Sequence, residues 1–211
     1  MQKYWTEVKA SWHQAWQNTI FRKKLIGSLF SVLILLATFP VFFQYIVKRE
    51  GMLLHDWLLV NIPAIDVSIW VFLAIWGMVI LSLIRFAKEP DRVLLFLVGY
   101  TLVSVLRIIT ILTIPLNPPV GLIELTDPLS NAFYGKSFVT KDLFFSGHTS
   151  SVFLMFLCLQ RPVDRLLGLL ATVLVGAGVL VQHVHYSIDV LAAPVLTYLC
   201  WLIARKIIRY K

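Results

Sequence analysis

Two short segments hold the residues whose types and spacing could do chemistry: Asp142 with Ser146-Gly147-His148-Thr149, and His185-Tyr186-Ser187-Ile188-Asp189. His185 and Asp189 stand four apart, which on a helix puts them on one face a turn apart. Asp189 can then accept the Nδ1–H of His185, fix its tautomer and leave Nε2 as a nucleophile toward phosphorus. A carboxylate at membrane depth is costly without a partner, so a solitary Asp189 is disfavoured. His148 falls in the first turn of an expected helix, where amides and the positive dipole end favour an anion. Gly147 would permit close approach of a phosphate. His148 would serve as general acid for the leaving oxygen and then as base for the acceptor.

The elements that must position these groups are membrane helices. The chain has 211 residues, 59% hydrophobic and 14% charged, with a mean hydropathy of +0.82. A soluble domain of this length would be about a quarter charged. The net charge of +8 does not signal nucleic acid, because the basic residues cluster at the ends of apolar runs as membrane-surface anchors do. Cys158 and Cys200 both lie inside apolar runs, implying buried thiols and neither a disulfide framework nor a zinc site. The first apolar run follows Arg22, Lys23 and Lys24 and is too long for a signal-peptide core, so a retained helix is expected.

Six stretches can cross about 30 Å of hydrocarbon. They run from about Leu25 to Val47, Val67 to Phe86, Val93 to Pro115, Leu143 to Leu159, Val163 to Val181 and Tyr186 to Ile208. The fold class expected is an all-α, polytopic six-helix bundle, because open strands leave backbone groups unsatisfied in lipid. Fourteen Lys and Arg residues fall on the side of the termini and four on the other. The positive-inside rule then predicts cytoplasmic termini and places both chemistry-bearing segments at the non-cytoplasmic helix ends. Trp5, Val8, Trp12, Trp16 and Ile20 recur at helical spacing, predicting an amphipathic interfacial helix over 1–24 ahead of a membrane domain over 25–211. Packing of that helix on the protein itself is the alternative. The long Pro- and Gly-containing connection Leu116 to Asp142 is expected on the side of the chemistry.

These motifs resemble the type 2 phosphatidic acid phosphatase superfamily, and within it the sphingomyelin synthase-like branch. Ser146-Gly147-His148-Thr149 and His185-Tyr186-Ser187-Ile188-Asp189-Val190 carry the resemblance, with a weaker match at Arg107-Ile108-Ile109-Thr110 and Pro115. It implies a metal- and cofactor-independent, two-step exchange through a phosphohistidine on His185, with Asp189 orienting that ring and His148 handling the proton. Arg107, in a span, would face a polar cavity and neutralise phosphate, or else snorkel to the interface. Ser146, Gly147 and Asp142 join Arg107 as the expected substrate-binding set. The phosphatases of the superfamily carry a Lys-x6-Arg-Pro element and a Ser-Arg pair that this chain lacks. Its only Arg-Pro is Arg161-Pro162, and Gly178 and Val179 stand where the pair would be.

Asp142 would orient His148, bind a head group or serve the helix dipole. Glu124 and Asp127 could meet a cationic head group, although a solvated loop face is the better reading. His13, His55 and His183 are read as non-catalytic, and Gly168, Thr172 and Gly176 as a helix-packing face. The implied partners are membrane lipids: a glycerophospholipid donor and a lipid alcohol such as ceramide. Hydrolysis of the same intermediate by water is the enzymatic alternative, and a non-catalytic lipid-binding or scramblase-like bundle is the other. Short loops without large soluble domains suggest a bacterial inner membrane, with the site facing the periplasm or exterior.

Overall fold

The structure, a computed structural model, describes residues 2–126 and 139–209. Asp127, Lys136 and Lys211 lie outside the described residues. Among the described residues there are seven α-helices: α1 (Gln2–Gln17), α2 (Thr19–Lys48), α3 (Ser68–Phe86), α4 (Pro90–Thr113), α5 (Gly147–Cys158), α6 (Pro162–Val181) and α7 (Ser187–Ile208). Local chemistry sets these limits. The Asn18 side chain accepts the amides of Ile20 and Phe21 to start α2, and Pro90 and Pro162 open α4 and α6 at the position where a missing N–H is harmless.

Helices α2, α3, α4, α6 and α7 are long and apolar enough to cross a membrane. Their outward sides carry exposed apolar residues such as Phe30, Ile69, Leu170 and Leu191, the surface of an integral membrane protein. The fourth expected span differs. Instead of a helix over Leu143 to Leu159, α5 has 12 residues and rises about 18 Å at 1.5 Å per residue. The preceding apolar residues are not helical because α4 supplies partners for their carbonyls. Thr110 Oγ1 donates to the Phe144 carbonyl at 2.8 Å, and Arg107 Nε donates to that of Phe145 at 2.8 Å. Non-helical backbone is tolerated at depth when protein groups satisfy it.

This short helix sits at the centre, packed on α3, α4, α6 and α7. Small residues bring the helices close. A Cβ on Gly168 would lie 3.0 Å from Phe156 Cβ, and one on Gly176 would lie 3.0 Å from Val190 Cγ1 and 3.7 Å from Thr149 Cγ2. Gly168 and Gly176 are thus part of a helix-packing face, joined by the buried Thr172. At the end holding the start of α2, Lys24 Nζ donates to the Ile207 carbonyl at 2.6 Å, so the first membrane helix begins where the last one finishes.

The N-terminal segment departs from the expected 1–24 unit. The helix breaks at Asn18, and Arg22, Lys23 and Lys24 belong to the first turns of α2. Trp12 Nε1 donates to the Ala87 carbonyl at 2.8 Å, Tyr4 to that of Ile84 at 2.9 Å, and Lys88 pairs with Glu7. Trp5 and Trp16 remain 56% and 47% exposed. The aromatic stripe is therefore divided, with Trp12 docked on the end of α3 while its neighbours face outward.

Gly178 gives the sharpest test of this close packing, since an added Cβ would lie 2.3 Å from Val71 Cγ2 on α3. Gly178→Ala is expected to destabilise the bundle by about 1–3 kcal/mol through overpacking, read as a lowered Tm in detergent. An unchanged Tm would contradict the α3–α6 contact.

Candidate active site

The site assembles where α4 ends and α5 and α7 begin. At the start of α7 the Asp189 carboxylate does two jobs. Its Oδ2 accepts the backbone N–H of Tyr186 at 3.1 Å, satisfying a donor that the helix start leaves open. The same oxygen lies 3.3 Å from His185 Nδ1. Both side chains are buried. A carboxylate can only accept, so Nδ1 carries the hydrogen in this contact. Asp189 Oδ1 is buried with no partner among the described residues.

The two motifs touch through the main chain: the Ser146 amide donates to the Asp189 carbonyl at 3.2 Å. Ser146, one of the expected substrate contacts, is fully buried. Its Oγ caps α5, lying 3.5 Å from the Thr149 amide and 3.1 Å from Thr149 Oγ1. It fixes the start of α5, which carries His148 in its first turn. The His148 ring meets Phe72 of α3 edge-on, with centroids 6.3 Å apart.

Arg107 and Asp142 form an ion pair across 35 residues of chain, Nη2 to Oδ1 at 2.7 Å. Arg107 does not snorkel away. Its Nε is tied to the Phe145 carbonyl, and its guanidinium lies against Gly147, where a Cβ would be 2.6 Å from Nη1. The space that Gly147 leaves therefore admits a cation beside the helix start. Burial pushes the Asp142 carboxyl up, but the charge and hydrogen bond of Arg107, with the charges of His185 and His148, outweigh it and hold the group below its usual 3.8. Arg107, Asp142, Gly147 and His148 thus form one cluster beside His185 and Asp189.

Several supports were not legible from the motifs. Asp56, in the connection between α2 and α3, accepts the Ser187 amide at 2.6 Å and its hydroxyl at 2.8 Å, capping α7 from outside. Burial raises the Asp56 carboxyl, and the hydrogen bonds from Ser187, Leu59 and Leu58 bring it to a net value below 3.8. The Tyr186 hydroxyl donates to the Asn117 carbonyl at 2.9 Å and accepts the Leu54 amide at 3.3 Å. His183 has its two ring nitrogens 2.9 Å from the carbonyls of Val120 and Ile62, directed away from the His185 pair. Glu124 is exposed, and its carbonyl accepts Gln182 Nε2 at 3.4 Å. An Asx-type cap of the Asp56 kind leaves a trace in sequence only when it is local; this one comes from 131 residues away.

Residues 141–206 match the family model described as PAP2 superfamily C-terminal. The matched segment includes Asp142, Ser146, Gly147, His148, His185 and Asp189, whereas Arg107 and helices α1 to α4 precede it. The match covers about a third of the chain and marks a likeness to that superfamily, whose members are generally phosphatases or phosphotransferases. No curated protein matches the chain.

The Asp142 carboxyl titrates below 3.8 in the folded chain, so its pairing adds stability that is complete above the unfolded value. That contribution disappears as pH falls through the lower folded value. Asp142→Asn is expected to lower Tm at neutral pH and to differ less from the parent near pH 3. A gap equally wide at both pH values would rule out the ionised pair.

Proposed function

We propose that the chain is a lipid phosphotransferase of the type 2 phosphatidic acid phosphatase superfamily, in its sphingomyelin synthase-like branch. The observation that carries this reading is the buried His185–Asp189 pair, joined by the Ser146–Asp189 main-chain bond to the helix start that holds His148. Nε2 of His185 attacks phosphorus of a glycerophospholipid. The bond from phosphorus to the glycerol oxygen breaks, that oxygen takes a proton from His148, and diacylglycerol departs. The head group stays on His185 as a phosphohistidine. A lipid alcohol such as ceramide then gives its hydroxyl proton to His148 and attacks phosphorus, and the P–N bond breaks.

The surroundings fit these steps. Asp189 orients the ring and balances the positive charge that His185 gains as it bonds to phosphorus. Arg107, held by Asp142 and the Phe145 carbonyl, offers Nη1 to the phosphate oxygens beside Gly147. The Ser-Arg clamp of the hydrolases is replaced by Gly178, packed against Val71, and by the buried Val179, which favours transfer over hydrolysis. In the topology that suits this reading, α5 and its non-helical approach form the sixth crossing. The termini are cytoplasmic, α1 lies partly in the interface, and the site opens on the opposite side.

Product analysis tests the proposal directly. Full-length protein in mixed micelles receives head-group-labelled phospholipid with and without ceramide. Label is expected in a new lipid only with ceramide, and none with His185→Ala. His148→Ala is expected to lose on the order of 10²–10⁴ in rate, the usual share of a general acid. Label released to water as phosphate or phospho-head group would make the chain a hydrolase. Lipid movement that survives His185→Ala would make it a non-catalytic bundle.

A further inference from the structure

A second site is built at the other end of the bundle. A cavity of about 1190 Å³ lies there beneath α1, between the start of α4 and the ends of α5 and α7. Along α7 alone, Asp189 and Arg205 are separated by about 24 Å at 1.5 Å per residue, so this cavity is no part of the histidine site.

Its lining has more donors than acceptors. Lys88, Arg92, Arg165, Arg205 and Arg209 line it, against the carboxylates of Glu89 and Asp91. Glu89 is already engaged, by Gln160 Nε2 at 2.6 Å and Arg92 Nε at 3.5 Å. Among the described residues no ion pair takes up Arg165, Arg205 or Arg209. Aromatic faces hold two of them in place without neutralising them, Arg205 4.7 Å from the Trp201 ring centre and Arg165 5.1 Å from that of Phe156. Trp201 itself lines the cavity, and its buried Nε1 has no acceptor among the described residues. Guanidinium groups converging on one space call for a ligand with several oxygen acceptors and negative charge.

We propose that this cavity binds the phosphate of an anionic membrane lipid. The lipid source is favoured over a free phosphate by the walls, where the partly exposed Ala15, Trp201 and Ile208 stand beside the cations. Such apolar surface suits the glycerol and upper acyl chain of a phospholipid. Clustered cations at the ends of membrane helices are also where an anionic bilayer surface offers its head groups. The proposal is independent of the chemistry assigned to His185.

The test uses the full chain in mild detergent, titrated with phosphatidylglycerol, phosphatidylcholine or inorganic phosphate. Lipid retention is read by native mass spectrometry and stability by Tm. Phosphatidylglycerol is expected to be retained about tenfold better than phosphatidylcholine, a preference lost in Arg165→Gln/Arg205→Gln and kept in Arg165→Lys/Arg205→Lys. Equal retention of the two lipids by the parent, or an undiminished preference in the Gln pair, overturns the proposal. A Tm rise with inorganic phosphate that the Gln pair lacks, with no preference between lipids, replaces the lipid by a soluble phosphate compound. Should the Gln pair not fold, raising salt from about 0.05 to about 0.5 M must erode the preference in the parent; a constant preference overturns it.

Discussion

A polar group that this chain takes to the depth of its apolar helices is costly unless it finds a partner inside the protein, because lipid offers none. Asp189 meets that demand twice over. One oxygen of a fully buried carboxylate serves both an open amide at the start of α7 and the ring of His185. The group that begins the helix is the group that aims the histidine, so the ring cannot reorient unless the helix start is rearranged as well. Arg107 repeats the arrangement on α4. Its ties to Asp142 and to the Phe145 carbonyl hold the non-helical approach to α5 and leave the guanidinium beside Gly147. Positioning and solvation are the same set of bonds.

The shortness of α5 is part of this design. A helix running the full thickness would carry its first turn to the membrane surface. Starting at Gly147, after backbone satisfied by Thr110 and Arg107, it begins among other helices, with α3, α4, α6 and α7 around it. Its dipole end and open amides are thus enclosed in protein, where a charge they favour is screened least by water. Gly168 and Gly176 allow α6 to press against this central helix and against α7, which keeps the starts of α5 and α7 in register.

Much of this was legible in the sequence. Apolar length located the helices, and the observed starts at Ser68, Pro90, Pro162 and Ser187 lie within a few residues of the expected ones, because Pro and polar residues mark those ends locally. The expectation that His185 and Asp189 share one helical face was not met, because His185 precedes the Tyr186 N-cap; their contact arises instead from Asp189 reaching back across the start of α7. The Arg107–Asp142 pair was not legible as a pair, for a bond between residues 35 apart depends on how α4 and α5 lie together. Asp56 was missed for the same reason, its partner Ser187 being 131 positions away. The extent of α5 was misread because hydropathy registers that Leu143, Phe144 and Phe145 are apolar, but not that the carbonyls of the two phenylalanines are satisfied by side chains of another helix. In α1, periodicity found the aromatic stripe but could not tell that Trp12 would find the Ala87 carbonyl while Trp5 and Trp16 stayed outside.

The two ends of the bundle solve opposite problems with the same side-chain types. At the histidine end, Arg107 has a carboxylate beside it, and that pairing lets a guanidinium stay buried before any substrate arrives. At the other end, Arg165 and Arg205 are exposed and rest on aromatic rings, so water screens them and no carboxylate is needed. A buried cation without its partner would favour an anion so strongly that release would be slow; in the proposed transfer reaction, Asp142 would moderate that attraction. Among the described residues no ion pair provides such a moderator for Arg165 or Arg205, which suits a surface meant to hold its anion. On the two proposals made above, the pairing of Arg107 with Asp142 suits turnover, and the absence of an ion pair at Arg165 and Arg205 among the described residues suits retention.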